Sequence, residues 1–127
     1  MSTRPDAPHL PGRAPIDAYG NGGFRFAGMS HRGSLLCLPS GIWGWPVAAA
    51  DAVGEAALAP LFAEAEAIEF FLLGTGSEIK PLPDVLRWRF RDYRIGIDVM
   101  TTGAAVRTYN ILLGEDRRVA AGLIAVG

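Results

Sequence analysis

The chain has a single cysteine and two histidines, and no apolar run approaches the ~20 residues that a membrane-spanning helix needs. One cysteine forms no intramolecular disulfide. Cys37 sits inside the apolar stretch Leu35-Leu36-Cys37-Leu38, which reads as a buried, inert thiol rather than a reactive one. His9 and His31, with only Cys37 to help, are too few for a standard metal centre, so neither a metal nor a cofactor is expected. No Gly-x-Ser-x-Gly elbow occurs, and the carboxylate pairs Glu64/Glu66 and Asp92/Asp98 have no apolar pocket around them in the sequence. Excess charge is also missing. Twelve basic residues against 13 acidic ones leave a formal net charge of −1, which gives no global attraction to nucleic acid or to an anionic membrane. The first fifteen residues lack the apolar core of a secretory signal, and their prolines oppose an amphipathic transit helix. The expectation is a soluble chain in the cytoplasm.

What is present is globular in composition: 50% of the residues are hydrophobic and 20% are charged. A length of 127 residues suits one domain. Pro5, Pro8, Pro11 and Pro15 block a helix at the start, so residues 1–15 are expected to be a disordered arm and residues 16–127 one α/β domain.

After the arm, Gly20-Asn21-Gly22-Gly23 reads as a turn between two short strands, because Gly and Asn tolerate positive φ. Residues 30–38 read as one strand entering a core, broken by Pro39-Ser40-Gly41, and residues 42–47 as another short extended segment. The rhythm then changes. Leu58, Leu61, Phe62 and Ala65 recur at helical spacing over residues 55–65, with Pro60 tolerable only in a first turn. Apolar runs at 68–73, 95–100 and 119–126 are of strand length. Helices are predicted between them at 83–93 and 102–113. This alternation predicts a sheet with helices packed against it, under an additional β-rich N-terminal layer.

Two turns follow apolar strands in a way that can bind ligands. Gly74-Thr75-Gly76-Ser77 offers backbone amides and hydroxyls, although it lacks the third glycine of a dinucleotide fingerprint and the Gly-Lys-Ser/Thr of a phosphate loop. A plain strand-to-helix turn explains it as well. Thr101-Thr102-Gly103 opens a helix, where one Thr is explained by capping and the other is free to face a crevice beside the first turn. On that helix Ala105, Tyr109, Leu112 and Leu113 share the inward face, while Arg107 and Ile111 point out. Asn110 flanks the inward stripe, where its low helix propensity suggests a specific hydrogen bond, to a neighbouring loop or to a ligand. A further helix carries Arg87, Arg91 and Arg94 at i, i+4 and i+7 with Trp88 beside them. That stripe is either a solvated face or a surface for an acidic partner.

Gly74-Thr75-Gly76, Gly96-Ile97, Thr102, Ala105, Tyr109 and Asn110, together with the front segments Ala18 to Phe26, His31-Arg32-Gly33-Ser34 and Leu38-Pro39-Ser40-Gly41, resemble one family over residues 16–126. It is the family of the mitochondrial complex I assembly factor 3 and the adipogenesis-associated vertebrate protein, whose bacterial members are mostly a domain of unknown function. The resemblance implies a three-layer α/β fold with a mixed sheet whose last strand runs antiparallel. It also implies a binding or assembly-type role without catalysis, for example as a scaffold for a respiratory or membrane protein complex. Many bacterial relatives carry Cys where this chain has Val106, so no thiol chemistry is expected there, and the family offers no catalytic residues to carry over. Protein partners are expected and nucleic acid is not, with a homodimer left open. The competing reading is a small-molecule (anion) binding protein or enzyme that uses the crevice between the two turns. Its ligand candidates are Gly74, Thr75, Gly76, Ser77, Thr101, Thr102, Gly103, Tyr109 and Asn110.

Overall fold

The computed structural model describes residues 7–127. In chain order the strands of the front half are β1 (Leu10–Pro11), β2 (Ala18–Gly20), β3 (Gly23–Phe26), β4 (Met29–Arg32), β5 (Ser34–Leu38) and β6 (Gly41–Trp45). The back half runs α1 (Glu55–Phe62), β7 (Phe70–Gly74), α2 (Asp84–Asp92), β8 (Gly96–Met100), α3 (Thr102–Gly114) and β9 (Val119–Leu123), with single 3-10 turns at Ala50–Ala52 and Ala65–Ala67. Six strands form one mixed sheet in the order β1-β6-β5-β9-β7-β8, and β2-β3-β4 form a separate small antiparallel sheet.

The alternation of side chains along the central strands builds the layers. On β5, Leu36 and Leu38 join the core under α1 and α2, while Leu35 and Cys37 join the core under α3 and the small sheet. Phe71 and Leu73 of β7 face the first core and Leu72 the second. A strand buried on both faces must be apolar throughout, which is why these segments read as continuous hydrophobic runs. The molecule is therefore a three-layer α/β domain with a β-rich N-terminal layer, as the sequence implied.

Several expectations change. The segment read as one strand over residues 30–38 is two strands in two sheets. Gly33, at φ +96, breaks it and donates its amide to Gly22 O at 2.7 Å, so β4 stays with β3 and β5 crosses to the large sheet. The expected disordered arm does not hold for residues 7–15. His9 N donates to Ile42 O (2.8 Å), Gly12 N to Ser40 O (3.1 Å), and the Arg13 guanidinium to Arg117 O (3.1 Å). Pro11 is tolerated there because β1 is an edge strand, where a missing N–H breaks no ladder. Residues 1–6 of that arm, including Pro5, lie outside the described residues.

Strand β9 is antiparallel only to β5. It is parallel to β7, because a helical crossover through α3 brings the chain back in the same direction. It is the junction between the antiparallel front and the parallel back of the sheet. Pro60 stands inside α1 rather than in its first turn. It gives up one helical N–H there, the one that would reach Ala56 O, while the neighbouring Ala57 O accepts the Trp45 indole N–H at 3.0 Å.

Candidate functional site

Strand β7 ends on Gly74, and the helix that follows β8 crosses directly over it. A Cβ on Gly74 would stand 2.8 Å from Thr102 Cα and 3.1 Å from Ala105 Cβ, so only glycine allows this approach. Gly76, at φ +100, then turns the chain. Its N–H donates to Thr102 Oγ1 (2.9 Å), and its carbonyl accepts from Thr102 N (2.9 Å). The Thr102 hydroxyl donates in turn to Ile124 O (2.7 Å), just past the end of β9. Thr101 is the cap, its Oγ1 accepting from Ala104 N at 3.3 Å. Thr102 is fully buried and serves as a three-way tie among β7, α3 and the chain after β9. The two turns are thus bonded to each other, and the crevice expected between them is closed. At Gly103 the Tyr19 ring lies over the backbone, its hydroxyl crowding the place a Cβ would take.

An open cleft lies instead on the other side of the Gly74–Ser77 segment, with a volume of about 660 Å³. Its walls are residues 48–51 after β6, residues 75–78, and residues 124–127 after β9, with Lys80, Pro81 and Pro83 on the rim. Of the candidate residues, Thr75, Gly76 and Ser77 line it, while Gly74, Thr101, Thr102 and Gly103 do not. The Thr75 hydroxyl is engaged within its own loop, donating to Glu78 O (2.7 Å) and accepting from Lys80 N (3.0 Å). Lys80 pairs with Glu78 at 3.2 Å and Asp51 faces the same space, so the cleft presents no net attraction for an anion. Residues 48–51, Lys80 and residues 124–127 were not singled out in the sequence. The available signal was their position just after strands that end together.

Tyr109 and Asn110 are elsewhere. Tyr109 is packed in the core beneath α3, where burial, and then its proximity to Cys37, raise its phenol well above the ordinary range, against a smaller lowering by Arg13. Asn110 lies eight residues along α3 from Thr102, about 12 Å at 1.5 Å per residue. Its side-chain oxygen accepts from Ile16 N (2.8 Å) and its amide donates to Ile16 O (2.8 Å). The specific hydrogen bond expected of Asn110 is present, and its partner is the backbone leading into the small sheet. Cys37 is fully buried and burial pushes its thiol up to about 12.

On α2, Leu86 and Phe90 face the core. Arg89 turns inward as well, its Nε 3.2 Å from Glu55 Oε1 and its guanidinium over the rings of Phe62 and Tyr93. The outer face carries exposed Arg87, Trp88 and Arg91, and Trp88 and Val85 each leave 59% of their surface in solvent. Arg94 is off this stripe. The helix ends at Asp92, and Arg94 adopts φ +59 in the turn that leads to β8.

His9 and His31, far apart in sequence, meet with ring centroids 4.4 Å apart. Burial, and then His9, lower the His31 imidazole below its usual value, partly offset by its hydrogen bond to the Ser34 backbone. Among the described residues no group of three or more His, Cys, Asp or Glu is placed to hold a metal ion. No helix among them is long and apolar enough to cross a membrane.

A family model described as a protein of unknown function (DUF498/DUF598) matches residues 16–124. An uncharacterized protein of Rhodobacter capsulatus is 38% identical over 94% of this chain and 91% of its own length. NADH dehydrogenase (ubiquinone) 1 alpha subcomplex assembly factor 3 of Xenopus tropicalis is 29% identical over 86% of this chain, and the matched region is 60% of that protein's length. Among solved structures, a Bartonella henselae protein described as an outer membrane protein superposes with a TM-score of 0.90 at 55% identity, covering 94% of this chain and all of that one.

Proposed function

The chain belongs to the DUF498/DUF598 family, and from that premise we propose that it is a non-enzymatic binding protein that assists the assembly of a respiratory or membrane protein complex. Its similarity to assembly factor 3 supports that class of role. The chain spans about 60% of those relatives' length, so the partners met by the rest of those proteins are not carried over. The observation that carries the reading is Trp88, held in solvent at 59% exposure between Arg87 and Arg91. Trp88 belongs to neither of the two buried cores, and an exposed tryptophan beside arginines is a composition enriched where proteins meet. Arginine forks onto carboxylates and is weakly hydrated, so the face suits an acidic patch rimmed by apolar groups.

The test is affinity capture of the tagged protein from its own cells, beside a variant carrying Arg87→Ala and Arg91→Ala and a second carrying Trp88→Ala. Exposed charges contribute about 0–1 kcal/mol to stability, and the 3.3 Å bond from Arg87 Nε to Leu82 O adds to the cost at that position, so circular dichroism is used to check that each variant is folded. The reading expects stoichiometric partners with the parent protein and their loss with both variants. Folded variants that recover every partner would move the interface elsewhere.

The cleft of about 660 Å³ beside residues 75–78 supports a second reading, a binding site for a small polar molecule. With Asp51 and Glu78 set against Lys80, a neutral or zwitterionic ligand fits better than an anion. Native mass spectrometry of the protein purified from its own cells distinguishes the two readings, since a retained metabolite supports the cleft and retained protein chains support α2.

A further inference from the structure

We propose that His9 and His31 form a two-imidazole site for a divalent late transition metal, seated over Gly44. Three separate parts of the chain build it. The His9 amide is fixed to Ile42 O at 2.8 Å as the chain enters β1, which sets its side chain beside β6. Strand β4, paired with β3 so that His31 lies opposite Phe24, brings the second imidazole over the same strand. Beneath both is Gly44, the residue of β6 opposite Leu35.

The geometry converges on one small volume. A Cβ on Gly44 would lie 3.1 Å from His9 Nε2 and 3.7 Å from His31 Nε2. Both nitrogens therefore lie against the same point of β6, where the two imidazoles approach closely because residue 44 has no side chain. The rings are tilted by 42° with centroids 4.4 Å apart, so they are not simply stacked face to face. A metal bound by two imidazoles at about 2.0–2.1 Å holds its nitrogens about 3.0–3.4 Å apart for right-angle to tetrahedral geometry. Ring centroids 4.4 Å apart put the two imidazoles on the length scale of such a pair, and binding requires the rings to turn their nitrogens toward one ion.

The donor set limits the ion. Two neutral imidazoles with no carboxylate or thiolate select Zn²⁺, Ni²⁺ and Cu²⁺ over Mg²⁺ or Ca²⁺, with Cu²⁺ bound most tightly. Water fills the remaining positions, since no third protein ligand is placed there among the described residues. A bound ion would tie the segment entering β1, an edge strand paired with β6, to β4 of the small sheet.

The experiment uses the full chain without a histidine tag, titrated with ZnSO₄, NiCl₂ and CuSO₄ by calorimetry and, for Zn²⁺, by NMR of the imidazole protons. The expected result is one equivalent of metal, with the His9 and His31 resonances of the unaltered protein shifting together to a single end point. His9→Ala and His31→Ala should each weaken binding about tenfold or more, to the same residual level, because the second ligand acts at high effective concentration. Gly44→Ala keeps both histidines but fills the shared space, and it should weaken binding comparably. Resonances that move for one histidine alone, or a single-histidine variant that keeps the parent affinity, would overturn the site. So would equal binding by a double variant lacking both. The NMR result on the parent protein decides the matter even if a variant folds poorly.

Discussion

Replacing Thr102 by Val tests the reading that the two turns are structural ties rather than walls of a ligand site. Val keeps the volume and branching of Thr and removes only the hydroxyl. That hydroxyl is fully buried, donates to Ile124 O at 2.7 Å and accepts from Gly76 N at 2.9 Å. Each buried partner left unsatisfied costs about 1–3 kcal/mol. Gly76 borders the open cleft, where water can reach its amide, so the lower part of that range applies to it. The sum is about 2–4 kcal/mol, and for a domain of this size each kcal/mol lowers the thermal midpoint by about 3–5 °C. Guanidinium unfolding followed by the three tryptophans and by far-UV circular dichroism measures the loss. Thr102→Ser keeps the hydroxyl and loses a methyl, about 1 kcal/mol. Thr101→Val loses one helix cap, also about 1 kcal/mol. If Thr102→Val falls within about 0.5 kcal/mol of the parent, or Thr102→Ser is equally damaging, the hydrogen-bonded tie is not what holds this corner together.

Asn110→Asp should destabilise at least as much as Asn110→Ala, about 1–2 kcal/mol, because a carboxylate keeps the acceptor for Ile16 N but sets a second oxygen against Ile16 O. Thermal unfolding of the two variants checks this, and an Asp variant as stable as the parent would contradict the paired geometry. The Cys37 thiol is raised to about 12 by complete burial, so native protein at pH 8 should resist thiol reagents and react only at the rate of global unfolding. The unfolded thiol ionises near its ordinary value, so this burial stabilises the fold fully below that pH and the contribution is lost as pH rises toward about 12. Labelling within seconds at pH 8, or an alkaline loss of stability identical in Cys37→Ala, would refute it.

The back half of the fold was legible because its signals are local. Helical spacing in residues 102–113, a continuous apolar run at 68–73 and the glycines after it each reflect what a short segment does by itself, and all three appear as α3, β7 and the Gly76 turn. The outward placement of Ile111 and the inward placement of Tyr109 followed from the same 100° period. So did the need of Asn110 for a hydrogen-bond partner, although not which partner it found. Reading went astray where the outcome depends on chain direction or on an edge. The last strand was expected antiparallel and is so toward β5 alone, and residues 1–15 were expected to be a disordered arm, of which residues 7–15 instead bond to the domain.

The sequence by itself determined the class of fold, the apolar faces, and which residues had polar groups to satisfy, because burial and backbone conformation act over a few residues at a time. Only the tertiary structure decided where those groups were used. Asn110 reaches a backbone 94 residues away, and Thr102 closes on Gly76 and Ile124 instead of opening a crevice. His9 and His31 meet over Gly44 through two sheets that no local pattern connects. Strand order and register set these encounters, and they arise from the packing of whole layers, a balance of long-range contacts that leaves no short-range trace in the chain.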